Sequence, residues 1–325
     1  MYSMERTNKI VVIWLYTGLL MVLLMVVIGG ITRLTHSGLS MVDWELIGGV
    51  LPPLSEEAWQ TTFEKYKQFP EYKKTNFGME LSEFKSIFFW EYFHRILGRL
   101  LGVIFIVPYF LFLLKGWIKK ELKLKLFFLL LLGALQGGIG WFMVKSGLVD
   151  RPSVSHFRLA IHLSAAFSLI VYIYWLILDF TKVSRKEENG VKKLALGFLG
   201  LVIIQIIYGA FTAGLKAGLI CATFPDMCGS FLPASFGTLD FLNNPANIQF
   251  VHRCIAWLVF FYAIVVWVKV RKSAIENNVG HFILVAVCLQ FLLGVGTLLF
   301  FVPVSLAVIH QVGAALEGAP SCNGW

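Results

Sequence analysis

The sequence predicts an all-α integral membrane protein whose eight transmembrane helices form two pseudo-symmetric four-helix bundles, and three observations carry that prediction. Hydrophobic residues make up 58% of the 325 residues and charged residues 14%, against about 45–50% and about 25% in ordinary soluble domains. The apolar residues fall into eight runs, and a run of about 20 residues is what a helix needs to cross a bilayer. The same short motifs also occur twice, once in each half of the chain.

The first run, Ile10–Ile31, has 22 residues without a charge. No small-residue cleavage site follows it, so it reads as a first span rather than a signal peptide. Further spans centre on Ile87–Leu114, Leu126–Val144, Leu159–Leu178, Leu194–Leu215, Ile248–Val268 and Phe282–Val302, with a last run from Val304. That last run holds about 13 apolar residues to Leu316, short of a full span. It predicts a truncated, frameshifted or extended end, and with it an imperfect site in the second half.

A net charge of +9 would suggest nucleic acid in a soluble domain, but here the basic residues sit in short loops between apolar runs, the pattern of membrane topology and anionic lipid. Lys115–Lys125 holds five lysines, Lys182–Lys193 five basic residues and Lys269–Lys272 three, whereas Leu215–Asn247 has only Lys216. The positive-inside rule therefore places both termini and the basic loops in the cytoplasm. Met1–Lys9 lacks the Arg- and Ser-rich character of a mitochondrial presequence, which points to a bacterial inner membrane. The outer segment Arg33–Lys85 mixes six basic with eight acidic residues and predicts one or two short interfacial helices, since loops of this length in compact proteins usually have a function.

The internal repeat sets the architecture. Gly29, Thr32, Gly38, Leu39 and Pro53 recur as Gly209, Thr212, Gly218, Leu219 and Pro233 at a constant offset of 180. His94-Arg95 recurs as His252-Arg253, Gln136 and Gly140 as Gln290 and Gly294, and Ile161-His162 as Ile309-His310. Two domains follow, residues 1–186 and 187–325. Each has an even number of helices, so the halves are related by an axis along the membrane normal.

Ionisable groups inside an apolar helix are costly and mark function. His94, His162, His252 and His310 each lie about five to eight residues past the outer end of an alternate span, about 10 Å down at roughly 1.5 Å per residue, and so share one layer. A single buried histidine is commonly an interhelical hydrogen-bonder; four, repeated in register, predict pairs of imidazoles gripping heme iron from both faces. Arg95, Arg99 and Arg253 stand close enough to hold heme propionates. Zinc would need a tighter cluster with Cys or carboxylate ligands. His36, His156 and His281 have no counterparts and are read as non-ligands. Glu91 shares the His94 face and either pairs with Arg95 or acts chemically; its counterpart is Gln249, so the halves differ where chemistry would occur. Cys221 and Cys228, on the outer side, predict a disulfide, with a redox-active role the alternative.

Taken together, Gly29–Trp44, Phe89–Arg99 (FWEYFHRILGR), Gln136–Leu148 (QGGIGWFMVKSGL), Ser155–Leu163 and the His252 and His310 repeats resemble the heme A synthase family, over nearly the whole chain. The resemblance implies an oxidoreductase of heme A biosynthesis that oxidises the C8 methyl of heme O to a formyl group, supplying heme A for cytochrome c oxidase. It implies heme O as substrate, heme b as cofactor, and heme O synthase and an electron donor as partners. By position, His94 and His162 would flank the substrate heme, Glu91 would be the catalytic carboxylate, and His252 and His310 would ligate heme b. His36 departs from the family's usual residue in its motif. From the residues alone, a diheme b-type electron-transfer cytochrome or a transporter stay open as alternatives.

Overall fold

The computed structural model describes residues 2–42, 51–147, 153–181, 189–273 and 277–318. Among them the chain is helical, without strands: α1 Tyr2–Leu34, α2 Glu56–Lys67, α3 Pro70–Lys74, α4 Leu81–Leu114, α5 Lys120–Gly147, α6 His156–Thr181, α7 Asn189–Gly214, α8 Pro245–Arg271, α9 Asn277–Leu299 and α10 Val304–Gly318, with a 3-10 turn at Ala217–Leu219. Seven of these, α1 and α4 to α9, are long and apolar enough to cross a membrane, and α10 is a shorter apolar helix. Helices such as α4 and α5 begin about one turn or more before the apolar runs, because backbone hydrogen bonding continues into the interface after the side chains become polar.

The first four long helices enclose a core in which Val11, Leu15, Leu126, Ile173 and Leu176 are almost fully buried. A second core, around Val191, Phe198, Ala263 and Val266, joins α7, α8 and α9. Helix α1 packs on α4, α6 and α10, and α6 packs on α7, so α1, α6, α7 and α10 form the seam between the two cores. Helices α5 and α9 keep apolar side chains such as Phe128, Leu131, Leu289 and Leu292 on the outside. A surface of that kind faces hydrocarbon rather than water. The proposed boundary between the halves, at residues 186 and 187, lies outside the described residues.

The outer segment does form two short helices. Ser55 caps α2 by accepting from the Ala58 amide (3.1 Å), and Lys85 pairs with Glu56 (2.9 Å) to tie α2 to α4. Phe63, Tyr66, Phe84, Phe88 and Met41 pack into an aromatic cluster between this cap and the start of α4. Helices α1 and α7 end alike, at His36 (φ 54°) and Lys216 (φ 53°), equivalent positions in the left-handed region.

Candidate functional site

Each of the four repeated histidines is seated against a glycine of the preceding long helix. A Cβ on Gly29 of α1 would lie 3.3 Å from Cε1 of His94, and one on Gly209 of α7 would lie 3.2 Å from Cε1 of His252. The corresponding distance is 2.9 Å for Gly140 of α5 to His162 and 2.9 Å for Gly294 of α9 to His310. The imidazoles can recede this far only because no side chain stands behind them. Two glutamines complete the pattern: Gln136 donates to the His162 carbonyl (3.1 Å) and Gln290 to the His310 carbonyl (2.6 Å).

His94 and His162 lie near enough to interact electrostatically, as do His252 and His310. The Nδ1 of all four is buried without a well-formed hydrogen bond, although the His252 ring faces the Gln205 carbonyl and the His310 ring the Gln290 carbonyl. His310 is in the second turn of α10, as His162 is in the second turn of α6.

At the outer end of the first pair, Glu91 is buried, with 3% exposure. It accepts from the Ser40 hydroxyl (2.7 Å), the Met41 amide (2.8 Å) and Arg95 Nη2 (2.5 Å). Arg95 Nη2 also donates to the Met41 carbonyl (2.9 Å). At the second pair, Gln249 donates to the Cys221 carbonyl (2.9 Å) and Arg253 Nη2 to the same oxygen (3.0 Å). Arg253 Nη1 reaches the Thr223 and Asp226 carbonyls (2.9 Å each), and its buried Nε has no hydrogen-bond partner among the described residues. Cys221 and Cys228 form a disulfide that closes this loop. Arg99 follows Arg95 by one turn on α4.

The remaining histidines stand apart. His36 is exposed, His156 is buried against Phe157 and Phe211, and His281 meets Trp267 edge-on. Sequence reading missed Ser40, Met41 and the seating role of the four glycines. The repeat carried a signal for the glycines, since each recurs beside a recurring histidine. Nothing in the sequence pointed to Ser40 or Met41, whose value lies in a loop fold.

The fold and site thus define a multi-pass membrane protein with two matched pairs of buried histidines, each seated against a glycine. The chain belongs to the cytochrome oxidase assembly protein family, whose model matches residues 12–317. It is 45% identical to the heme A synthase of Nitrosospira multiformis over 323 residues, covering 95% of this chain and 90% of the relative. It is 46% identical to the heme A synthase of Flavobacterium psychrophilum, covering 95% of each, and 45% identical to that of Pelagibacter ubique, covering 95% of this chain and 93% of the relative. These likenesses to bacterial proteins and the seven spanning helices place it in the inner membrane.

Proposed function

We propose that this protein acts in heme A biosynthesis as a heme A synthase, an oxidoreductase that turns the C8 methyl of heme O into a formyl group. The observation that carries the reading is a chain of this family with two equivalent histidine pairs, only one of which stands beside a buried carboxylate. Residues 1–186 then hold the substrate and residues 187–325 a heme b. Among the described residues no three His, Cys, Asp or Glu side chains are grouped to hold a bare metal ion. Paired imidazoles suit a metal whose other four ligands come from a porphyrin.

In this reading His94 and His162 fix the plane of heme O, and Gly29 and Gly140 let both rings withdraw to make room for it. Arg95, Arg99 and Arg253 supply the positive charge for propionates. Glu91 is held rigid by Ser40, Met41 and Arg95, so its carboxylate needs no reorganisation to take a proton or to stabilise positive charge developing at the methyl carbon. Each oxidation of the methyl carbon, first to an alcohol and then to a geminal diol, would take one oxygen atom from dioxygen. The other atom leaves as water with two protons and two electrons from the membrane donor, and the diol then loses water to the aldehyde. When bound, heme b supplies one-electron chemistry, and His252 and His310 hold it. Heme O synthase as the source of substrate, and an electron donor of the membrane, are the partners this scheme requires.

Hemes extracted from membranes that contain this protein and a heme O source test the proposal. Heme A should appear. Unchanged heme O and heme b would leave a diheme electron-transfer cytochrome instead.

A further inference from the structure

A second buried acid lies one layer outside Glu91. Glu71, on α3 of the outer cap, is 6% exposed. Its Oε2 accepts from the hydroxyl of Tyr66 (3.2 Å), which in turn accepts from the Asn76 amide (2.7 Å). Tyr66 is completely buried and packs in the aromatic cluster that includes Met41, the residue whose amide binds Glu91. Glu91 lies near enough to act electrostatically on both Tyr66 and Glu71, and Lys216 near enough to act on Glu71. A buried carboxyl without an arginine is an expensive device for packing alone.

We propose that Glu71 is a proton-relay residue for the reaction, carrying protons between Glu91 and the outer aqueous face by way of the Tyr66 hydroxyl. This rests on the catalytic reading of Glu91 given above. Oxidising a methyl group moves protons as well as electrons, and a carboxylate enclosed by Ser40, Met41 and Arg95 needs a way to exchange them. In one outward step Tyr66 gives its proton to the ionised Glu71 carboxylate and regains one from a water molecule placed between it and Glu91, which is in turn reprotonated by Glu91. One O–H bond breaks and one forms at each stage, and no electrons change hands. Burial first, and then the Glu91 carboxylate, push Glu71 up to about 8, against the opposing pull of Tyr66 and Lys216. That value lets it both load and release a proton near neutrality. Glu71 touches no reacting atom and acts only through Glu91.

The test uses the full-length protein in membranes supplied with heme O. E71Q should lower the rate of heme A formation about tenfold, less than the roughly 10²–10⁴ of a direct general acid or base. It should leave heme content and the b-type spectrum unchanged and remove the limb of the pH–rate profile near pH 8. E71D should recover most of the rate with a displaced limb. The wild type should also show a protonated-carboxyl infrared band that fades as the pH passes about 8, absent in E71Q. A wild-type rate and profile in E71Q would overturn the relay, as would losses in E71Q and E71D that follow heme content. E91Q separates the two readings. An inactive E91Q beside a normal E71Q removes the relay alone, whereas a fully active E91Q removes the role of Glu91 and the relay with it.

Discussion

The two halves anchor their outer loops with the same arginine and opposite hydrogen-bond polarity. Arg95 holds the Met41 carbonyl and Arg253 the Cys221 carbonyl, and the two loop residues are 180 apart. Three residues before each histidine the halves diverge: Glu91 accepts from the Met41 amide, whereas Gln249 donates to the Cys221 carbonyl and its own buried oxygen has no hydrogen-bond partner among the described residues. The second half shows that an amide is enough to hold such a loop on its helix. A carboxylate at Glu91 therefore exceeds what the architecture needs, and the surplus is what chemistry at the first pair would use.

The largest effect should come from the ligands of the second half. H252A or H310A should abolish the b-type spectrum, and a full spectrum in both variants would end the proposed division of labour. Next in size is E91Q, for which we expect heme A formation to fall by two orders of magnitude or more while heme binding persists. The glutamine can still accept from the Met41 amide, and Arg95 keeps the Met41 carbonyl, the counterpart of the Arg253 bond to the Cys221 carbonyl. Equal rates for E91Q and wild type would make Glu91 an ion-pair partner and no more. The glycine seats sharpen the comparison further. G140A and G294A, whose new methyls would stand 2.9 Å from the ring, should displace the imidazoles and broaden or shift the low-spin signals read by electron paramagnetic resonance. G29A and G209A, at 3.3 and 3.2 Å, should do so less; the reverse order would mean the seats do not position the rings.

The smallest expected effect concerns the cap. Glu71 binds its proton more tightly in the folded protein than in the unfolded chain, so between its ordinary pKa near 4.5 and about 8 the folded state carries the extra proton. Stability tied to this group is complete below that window, falls as the pH rises through it and levels off above it. Wild type should thus lose thermal stability relative to E71Q from about pH 5 to pH 8, measured as melting temperature in detergent. Parallel curves would show that Glu71 does not titrate there.

Much of this was legible in the sequence, for physical reasons that differ by feature. The long helices announced themselves because a bilayer permits only an unbroken apolar run, and the four histidines because charge-capable groups inside such runs are costly. The cap helices could be foreseen only in outline: eight acidic residues of Arg33–Lys85 look alike as letters, and only the packing of Tyr66, Phe63 and Phe84 buries Glu71 among them. Ser40 and Met41 reach Glu91 across about fifty positions of chain, a contact created by the way the loop after α1 folds back. The repeat marked Gly140 and Gly294 as matched positions, but glycine is common in membrane helices, so their role in seating the rings became visible only in the packed structure.

Arg33 at the end of α1 donates to the carbonyl of Ala213 (3.1 Å), the residue that occupies its own place in the repeat. A residue that touches its counterpart lies on the axis relating the copies. Two identical subunits meeting in this way would bring guanidinium against guanidinium in a half-buried seam. With alanine at the second position the contact runs one way only, from the Arg33 guanidinium to the Ala213 carbonyl, and position 213 brings no second guanidinium into the seam.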